Sequence, residues 1–465
     1  MAKLWGGRFS KRTSTLMEDF NNSLKFDKRL WEEELIASKA YARALTRANI
    51  LTKVELHKII NALDQIAVEF RRGKFAFKSD DEDIHTAIER RLVEKIGAIG
   101  KKIHSGRSRN EQVVTDERLY ILKENKELTA LITSLQTEIC EIASRTIDDI
   151  VPSFTHLQQA QLIRLGHYFM SLFFMLENDK GRLIDQQKRL DILPLGSGAV
   201  AGSTIKIDRE ELRRDLGFSA ISQNSIQAIG DRDFIAEFLF ATAQTMVHLS
   251  RFAEDVILWS STEFGYFELD DAYATGSSMM PQKKNPDSME LIRGKTSRAI
   301  SDLNTILILQ KGLPLSYSKD LQEDKEPLFD SIDTLKASLQ ICAGVVRTIR
   351  IRKDNLLRNV DESIYATDIA NYLVKQGIPF REAHQLVGKL ILRSISSRKR
   401  LSEFKLDDLK KISNKFDTDY FNIFSPEKSV EAHDVIGGTA RKRVEDEISN
   451  ALRLLNDYRH SHESI

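Results

Sequence analysis

The stretch "DRDFIAEFLFATAQTMVHLSRFAEDVILWSSTEF", Asp231 to Phe264, contains neither glycine nor proline. At 1.5 Å per residue a continuous helix over it would run roughly 50 Å, several times an average globular helix. Phe238, Thr242, Thr245, Leu249, Phe252, Val256 and Trp259 recur at alternating steps of four and three, the seam of helices packing at a shallow angle. A second strip, Leu239, Met246 and Ala253, is apolar on another face. A helix apolar on more than one face is central, touching several neighbours or another subunit. Only a long bundle accommodates such a rod.

Outward from this stretch the pattern repeats. Arg107 to Val151 is equally free of glycine and proline, enough for a helix of roughly 65 Å, and Gly106 and Pro152 bracket it. "LPLGSGAVAG", Leu193 to Gly202, is too glycine-rich for a helix interior and reads as a loop. No glycine-punctuated run of alternating β-branched residues emerges, so a sizeable sheet is not expected. The expected fold class is all-α, a central long-helix bundle with smaller helical N- and C-terminal domains. The boundaries read as 1–106, 107–360 and 361–465, with no internal repeat.

Composition narrows the function classes. A 465-residue chain that is 41% hydrophobic can bury a substantial core. Its 69 basic and 68 acidic side chains nearly cancel, so neither nucleic acid nor an anionic membrane is an expected partner. Charged ligands must then be recognised locally. Cys140 and Cys342 are too few and too far apart for a disulfide scaffold or a zinc motif, which fits a reducing cytoplasm. "MAKLWGGRFS" has no apolar signal core, and runs such as "SLFFML" fall far short of a membrane span. The expectation is a soluble, unprocessed, cytoplasmic protein.

Five segments are richer in ligand-like groups than a bundle surface requires. "SDDEDIHTAIERR" carries Asp83 and His85, "HSGRSRNEQ" carries Arg107, Arg109 and Asn110, and "SFTHLQQAQ" carries Thr155 and His156. "GSSMMPQKKNPDSME", Gly276 to Glu290, offers Ser277, Lys283, Lys284 and Asn285, and "YSKDLQEDKE" offers Tyr317, Gln322 and Lys325. Together they supply cations, amide donors, hydroxyls and a histidine, suited to a polycarboxylate ligand and to proton transfer. "GSGAVAG" follows no evident strand, so a dinucleotide fingerprint is not expected. No histidine pair flanks a glutamate at helical spacing, so neither a metal nor another cofactor is expected.

Each segment also has a plainer reading. "SGRSRN" fits a helix N-terminus capped by Ser108 or Asn110, and "DDED" fits an acidic turn or cap. "QKKN" fits exposed charge, "YSKDLQEDKE" the charged start of a helix before Pro327, and His156 a structural hydrogen-bonding residue. Taken one at a time, these readings stand level with the functional ones.

Taken together, the segments resemble the fumarase/aspartase superfamily of lyases, whose loop signature "GSSxMPxKxNP" is matched by Gly276, Ser277, Ser278, Met280, Pro281, Lys283, Asn285 and Pro286. Within it the chain is most similar to the argininosuccinate lyase/δ-crystallin family. "KLWGGRF", "SDDEDIHTAIERRL", "HSGRSRNEQVVTD", "THLQQAQ", "LPLGSGAVAG", "DRDFIAEFLF", "GLPLSYSKDLQEDKE", "ATDIANYLV" and "GGTA" carry that likeness from Lys3 to Ala440. The resemblance implies a homotetramer with five long helices per subunit and active sites shared by three subunits. It would also assign one apolar strip of Asp231–Phe264 to the subunit interior and the other to the interface.

The implied reaction is reversible elimination of argininosuccinate to L-arginine and fumarate, the last step of arginine biosynthesis, without a cofactor. The resemblance makes Ser277 the proton-abstracting residue and places Lys283 and Asn285 at the developing charge. His156 becomes the acid at the leaving nitrogen, oriented by Glu290, although the acid and base roles of Ser277 and His156 can be argued either way from sequence. Ser23, Arg109, Asn110, Thr155, Tyr317, Gln322 and Lys325 match substrate contacts, Asp83 is a partner for the arginine portion, and Arg232 maintains the site. A serine hydroxyl needs nearby positive charge or oriented backbone donors to act as a base.

Three departures from the family pattern are local. Leu162 stands where proline is common, which bears on a helix start. Gln227 and Gly230 replace an acidic residue and a serine, and Ser318 replaces asparagine. Adenylosuccinate lyase and fumarase share the loop, but "LWGGRF", "HSGRSRN" and "LQEDKE" favour argininosuccinate. A crystallin-like structural relative with little activity is the alternative outside catalysis.

Overall fold

The computed structural model describes residue 11 and residues 13–463; the Lys3–Phe9 block lies outside the described residues. Helices dominate, and among the described residues the strands form four two-stranded pairs. The chain divides into two compact units, each discontinuous in sequence. One takes 1–129, 179–245 and 295–336; the other takes 130–178, 246–294 and 337–465.

The first unit begins with α1 (Trp31–Arg47), α2 (Lys53–Arg71) and α3 (Ile84–Ile96). Thr52 and Glu55 start α2 with a reciprocal capping box, which satisfies two of its orphan donors. Tyr41, Leu45, Ile59, Leu63, Ile84 and Ile88 pack these helices together, and Leu193, Leu195, Leu212 and Phe218 complete that core.

Five long helices supply segments to both units: α4 (Arg109–Arg145), α5 (Leu165–Leu190), α6 (Asp233–Trp259), α7 (Asp287–Gln310) and α8 (Lys325–Thr348). The predicted rods are present, though shorter than their breaker-free stretches. Helix α4 has 37 residues, about 55 Å. It stops at Arg145, and after a turn the β-branched Ile150 and Val151 before Pro152 favour the extended backbone of the next strand. Helix α6 has 27 residues and begins where the Asp231 side chain accepts the Asp233 N–H at 3.0 Å. Its seam is buried as predicted, Phe238, Thr242, Thr245, Leu249 and Val256 all being 0% exposed. The second strip is a correction to the implied division of labour. Leu239, Met246 and Ala253 are also 0% exposed within one chain, leaving neither strip for a partner.

In the second unit, β1 (Ile150–Thr155) and β2 (Gln158–Arg164) form an antiparallel hairpin. Leu162, expected to bear on a helix start, lies buried in β2 paired with Pro152, and the following helix starts at Leu165. The Phe154 ring meets Phe264 at 5.5 Å, just past the end of α6, where Trp259, Tyr168 and Phe267 continue the cluster. Buried Arg164 pins the end of β2, pairing with Glu431 at 2.6 Å and donating to the Ile147 carbonyl at 3.0 Å. The chain closes with α9 (Ala366–Lys375), α10 (Phe380–Ser397) and α11 (Arg441–Glu463). Ile369, Leu373, Val387, Leu390, Phe416 and Tyr420 form a separate core there. No helix among the described residues is long and apolar enough to cross a membrane.

Candidate active site

The first unit assembles one set of candidate residues around the starts of α3, α4 and α8. Asp83 caps α3, accepting the Thr86 N–H at 2.6 Å, and pairs with Arg109 at 3.1 Å. Burial works to raise its pKa, but Arg109 and His85 overcome this and hold it below the ordinary value. The capping reading of "DDED" is therefore correct, and the capping carboxylate also orients a candidate cation. Arg109 further donates to Gln112 at 2.8 Å and Thr86 at 3.2 Å. Ser108 caps α4 by accepting the Asn110 N–H at 3.3 Å, so Arg109 and Asn110 stand on a helix N-terminus, which favours an anion. Ser23 is buried, donates to Asp27 at 2.5 Å, and Asp27 in turn accepts the Ile84 N–H at 3.0 Å.

The glycine loop serves the same helix start. Gly196 and Gly198 N–H groups donate to the Glu111 carboxylate at 2.6 and 2.8 Å. At Gly198, with φ of 62°, a Cβ would lie 2.7 Å from the Gly202 carbonyl oxygen. The loop's donors are thus spent on an internal carboxylate, and the Ala199 carbonyl accepts from Asn110 at 3.4 Å.

A buried charge quartet lies beneath the other binding candidates. Lys325 pairs with Glu117 and Asp324, both at 2.8 Å, while Arg232 pairs with Asp324 and, at 3.4 Å, with Glu117. All four side chains are at most 4% exposed. Burial opposes charge on Lys325, but Asp324 and Glu117 outweigh it and raise its pKa, so the ammonium stays protonated. Burial also works to raise Asp324, and Lys325 and Arg232 hold it below the usual carboxylate range. Burial pushes the Tyr317 hydroxyl up, against Lys325 and Arg232. Gln322 donates to the Asn21 carbonyl at 3.4 Å. The plainer reading of "YSKDLQEDKE" also holds, since α8 starts at Lys325 with Pro327 in its first turn.

Sequence reasoning missed the acids here. Asp324 was legible only as the neighbour of Lys325, and Glu117 carried no signal. It also missed Glu34 and Asp116, which lie buried with His85, their ligand-type atoms all within 4.8 Å of one another. His85 Nδ1 lies 2.8 Å from Glu34. Burial and the adjacent Glu34 carboxylate push the Asp116 pKa well above the usual carboxylate range. Gln112 donates to Glu34 at 2.6 Å, and Arg107 lies 3.9 Å from it, so protein groups already meet this donor set's charge.

In the second unit, His156 and Leu157 form the two-residue tip of the β1–β2 hairpin, with φ of 55° and 57°. Positive φ at both positions is the turn that matches strand twist, normally filled by Asn-Gly. Thr155 and His156 project exposed from this strained tip.

The loop forms a second hairpin. β3 (Thr275–Gly276) pairs with β4 (Lys284–Asn285), and 277–283 hangs from that ladder. Ser277 Oγ accepts the N–H groups of Met279 at 3.3 Å and Met280 at 3.0 Å, the oriented backbone donors that an alkoxide requires. Lys283 is exposed and its N–H donates to the Met280 carbonyl at 3.1 Å. Lys284, by contrast, is engaged by Asp271 at 2.5 Å and Glu268 at 3.6 Å. Glu290, in the first turn of α7, is exposed and makes no hydrogen bond or ion pair with His156 among the described residues. A cavity of about 210 Å³ lined by Arg118, Arg189, Gln227, Asp231, Phe234 and Glu237 holds none of the candidates. Its main charges are paired with each other, Arg118 with Asp231 and Arg189 with Glu237.

Long helices with a hairpin loop that carries the "GSSxMPxKxNP" signature place the chain among the lyases of the fumarase/aspartase superfamily. A family model described as Lyase matches residues 7–301. An EDDS lyase variant with bound fumarate superposes with a TM-score of 0.84 at 26% identity, covering 97% of this chain and 92% of that one. A class II fumarase from Schistosoma mansoni shares the fold, with a TM-score of 0.76 at 16% identity over 89% of this chain and 92% of its own. A second model, described as argininosuccinate lyase C-terminal, matches residues 363–431. The argininosuccinate lyase of Carboxydothermus hydrogenoformans is 47% identical over 454 residues, 97% of this chain and 100% of the relative. The chain belongs to the argininosuccinate lyase family.

Proposed function

We propose that the protein cleaves argininosuccinate reversibly to L-arginine and fumarate, as the last step of arginine biosynthesis. The observation that carries this reading is the double backbone donation to Ser277 Oγ within a loop that also holds Lys283 and Asn285. Ser277 removes a proton from the succinyl carbon beside a carboxylate. Charge that develops on that carboxylate is met by Lys283 and Asn285. The carbon–nitrogen bond then breaks, the carbon–carbon double bond of fumarate forms, and the departing guanidinium nitrogen takes a proton from His156. Imidazole suits that role because its ordinary pKa lies near neutrality.

Arg109, Asn110 and Lys325 bind substrate carboxylates, with Ser23, Thr155, Tyr317 and Gln322 supplying hydrogen bonds. Asp83 meets the arginine portion, and Arg232 acts through the buried quartet. The protein is a cytoplasmic homotetramer with shared active sites. This is supported by the lack of a hydrogen bond or ion pair between Glu290 and His156 within one chain among the described residues, a pairing that different subunits would supply. It is also supported by the exposed apolar side chains of α7, Leu291, Ile300, Leu307 and Ile308, at 41–72% exposure. The C-terminal boundary of a three-part division at 106/107 and 360/361 is supported by the separate core of that chain end.

The test is fumarate release from argininosuccinate by the purified protein. Ser277→Ala is expected to reduce turnover by about 10²–10⁴-fold, the usual contribution of a positioned base, while leaving assembly unchanged. Near-normal turnover in that variant would overturn the assignment, and turnover of adenylosuccinate or malate instead would reassign the substrate.

A further inference from the structure

Gly344 sits inside α8, where its φ is unremarkable and alanine would be favoured by about 1 kcal/mol. Backbone conformation therefore gives no reason for it. Gly181 and Gly388, also inside helices, have open space where a Cβ would stand. At Gly344 a Cβ would overlap the Tyr273 ring, from its hydroxyl to Cε1 at 2.6 Å. The missing side chain is the seat of an aromatic ring.

Tyr273 ends the short helical turn Asp271–Tyr273, two residues before the loop ladder. Three further contacts hold this turn. The Tyr273 N–H donates to the Asp270 carbonyl at 3.0 Å, and its carbonyl accepts from Ser288 Oγ, at the start of α7, at 2.6 Å. Lys284, on the returning strand of the loop, pairs with Asp271 of the same turn. Both arms of the hairpin that carries Ser277 are thus tied to one turn. That turn is fixed to α8 by the ring on Gly344.

We propose that Tyr273, seated on Gly344, is a positioning residue that sets where the base of the 277–283 loop stands and so where Ser277 meets substrate; this rests on the role proposed for Ser277. Neither residue touches the reacting atoms. A displaced ring would move the ladder, and ångström-scale misplacement far from the chemistry costs up to about 10²-fold in rate.

The experiment uses the full-length protein. Gly344→Ala is expected to lower kcat about tenfold to a hundredfold with KM little changed, and to speed tryptic cleavage after Lys283 and Lys284. Tyr273→Leu introduces no overlap, so it tests the anchor if the alanine variant folds poorly, and it too is expected to speed cleavage. In the double variant the smaller side chain makes room for the methyl, so the combined loss is less than the two single losses together. Unchanged kcat and cleavage in Gly344→Ala, with a raised Tm from better helix propensity alone, overturns the proposal. So do losses that simply add. Proteolysis needs no turnover, so if Ser277→Ala retained activity, the Ser277 role would fall while cleavage still judged the anchor.

Discussion

At the residue scale, the candidate groups sit where the backbone or the charge balance is locally unfavourable. Leu157 occupies a left-handed conformation that costs a non-glycine residue roughly 1–2 kcal/mol, and at 72% exposure it recovers little by packing. Leu157→Gly is therefore expected to raise stability by about 1 kcal/mol, read as a higher Tm, with His156 retained. Glu33 shows the same tension in charge. Burial lifts its pKa to about 7 from an ordinary 4.5, with Lys123 at 3.7 Å compensating only in part. The folded state holds this proton more tightly than the unfolded chain. Stability from it is fully present below pH 4.5 and is lost as pH rises through about 7. Glu33→Gln removes that dependence. Denaturant unfolding is expected to show little difference at pH 4.5 and a gain on the order of 3 kcal/mol at pH 8. A constant difference across that range would assign Glu33 another role. None of this was legible in sequence, because "HL" carries no turn signature and "EEEL" reads as ordinary helix surface.

At the element scale, legibility followed the breakers. The absence of glycine and proline placed α4 and α6, since it permits a rod and hydrophobic period selects it; α5, α7 and α8 contain glycines and escape that rule. The ends were harder to read. Helix α4 ended before its breaker-free stretch did, and extended bias before Pro152 favoured a hairpin whose tip presents Thr155 and His156. Likewise "GSSMMPQKKNP" is legible as a break, but its two-residue ladder depends on cross-strand pairing that no local propensity encodes. Gly230, a departure in sequence, has a structural reason. A Cβ there would lie 2.6 Å from the Leu315 carbonyl, so its absence lets the segment leading to Tyr317 approach the start of α6. The buried quartet joins the same elements: Glu117 on α4, Arg232 before α6, and Lys325 opening α8. Replacing one cation leaves two buried acids to share the other, an uncompensated buried charge that costs about 3–5 kcal/mol. Lys325→Met is expected to lose that much in unfolding measurements, beyond any loss of substrate binding. A loss below about 1 kcal/mol, the scale of an exposed pair, would mean that water reaches the quartet.

At the scale of the whole molecule, sequence reading identified the right helix for the core but the wrong surface for partners. Periodicity marks a residue as apolar-facing without saying what covers it. Both strips of α6 turned out to be covered within the chain. Helix α7 is less apolar overall, yet leaves Leu307 and Ile308 at 51% and 72% exposure, where two adjacent large side chains are costly in water. If α7 forms the subunit contact, Leu307→Glu with Ile308→Glu buries unpaired charge and should yield smaller species in sedimentation. Activity should fall with assembly, because the proposed Glu290–His156 pair requires different subunits. The same geometry predicts complementation. Ser277→Ala and His156→Asn damage different segments, so mixed tetramers formed after denaturation and refolding contain some sites in which both segments are intact. Fumarate release should reappear in the mixture while each parent refolded alone stays inactive. Absence of recovery across several well-folded pairs would place Ser277 and His156 of each site on the same chain, and would then require another explanation for the missing bond between Glu290 and His156.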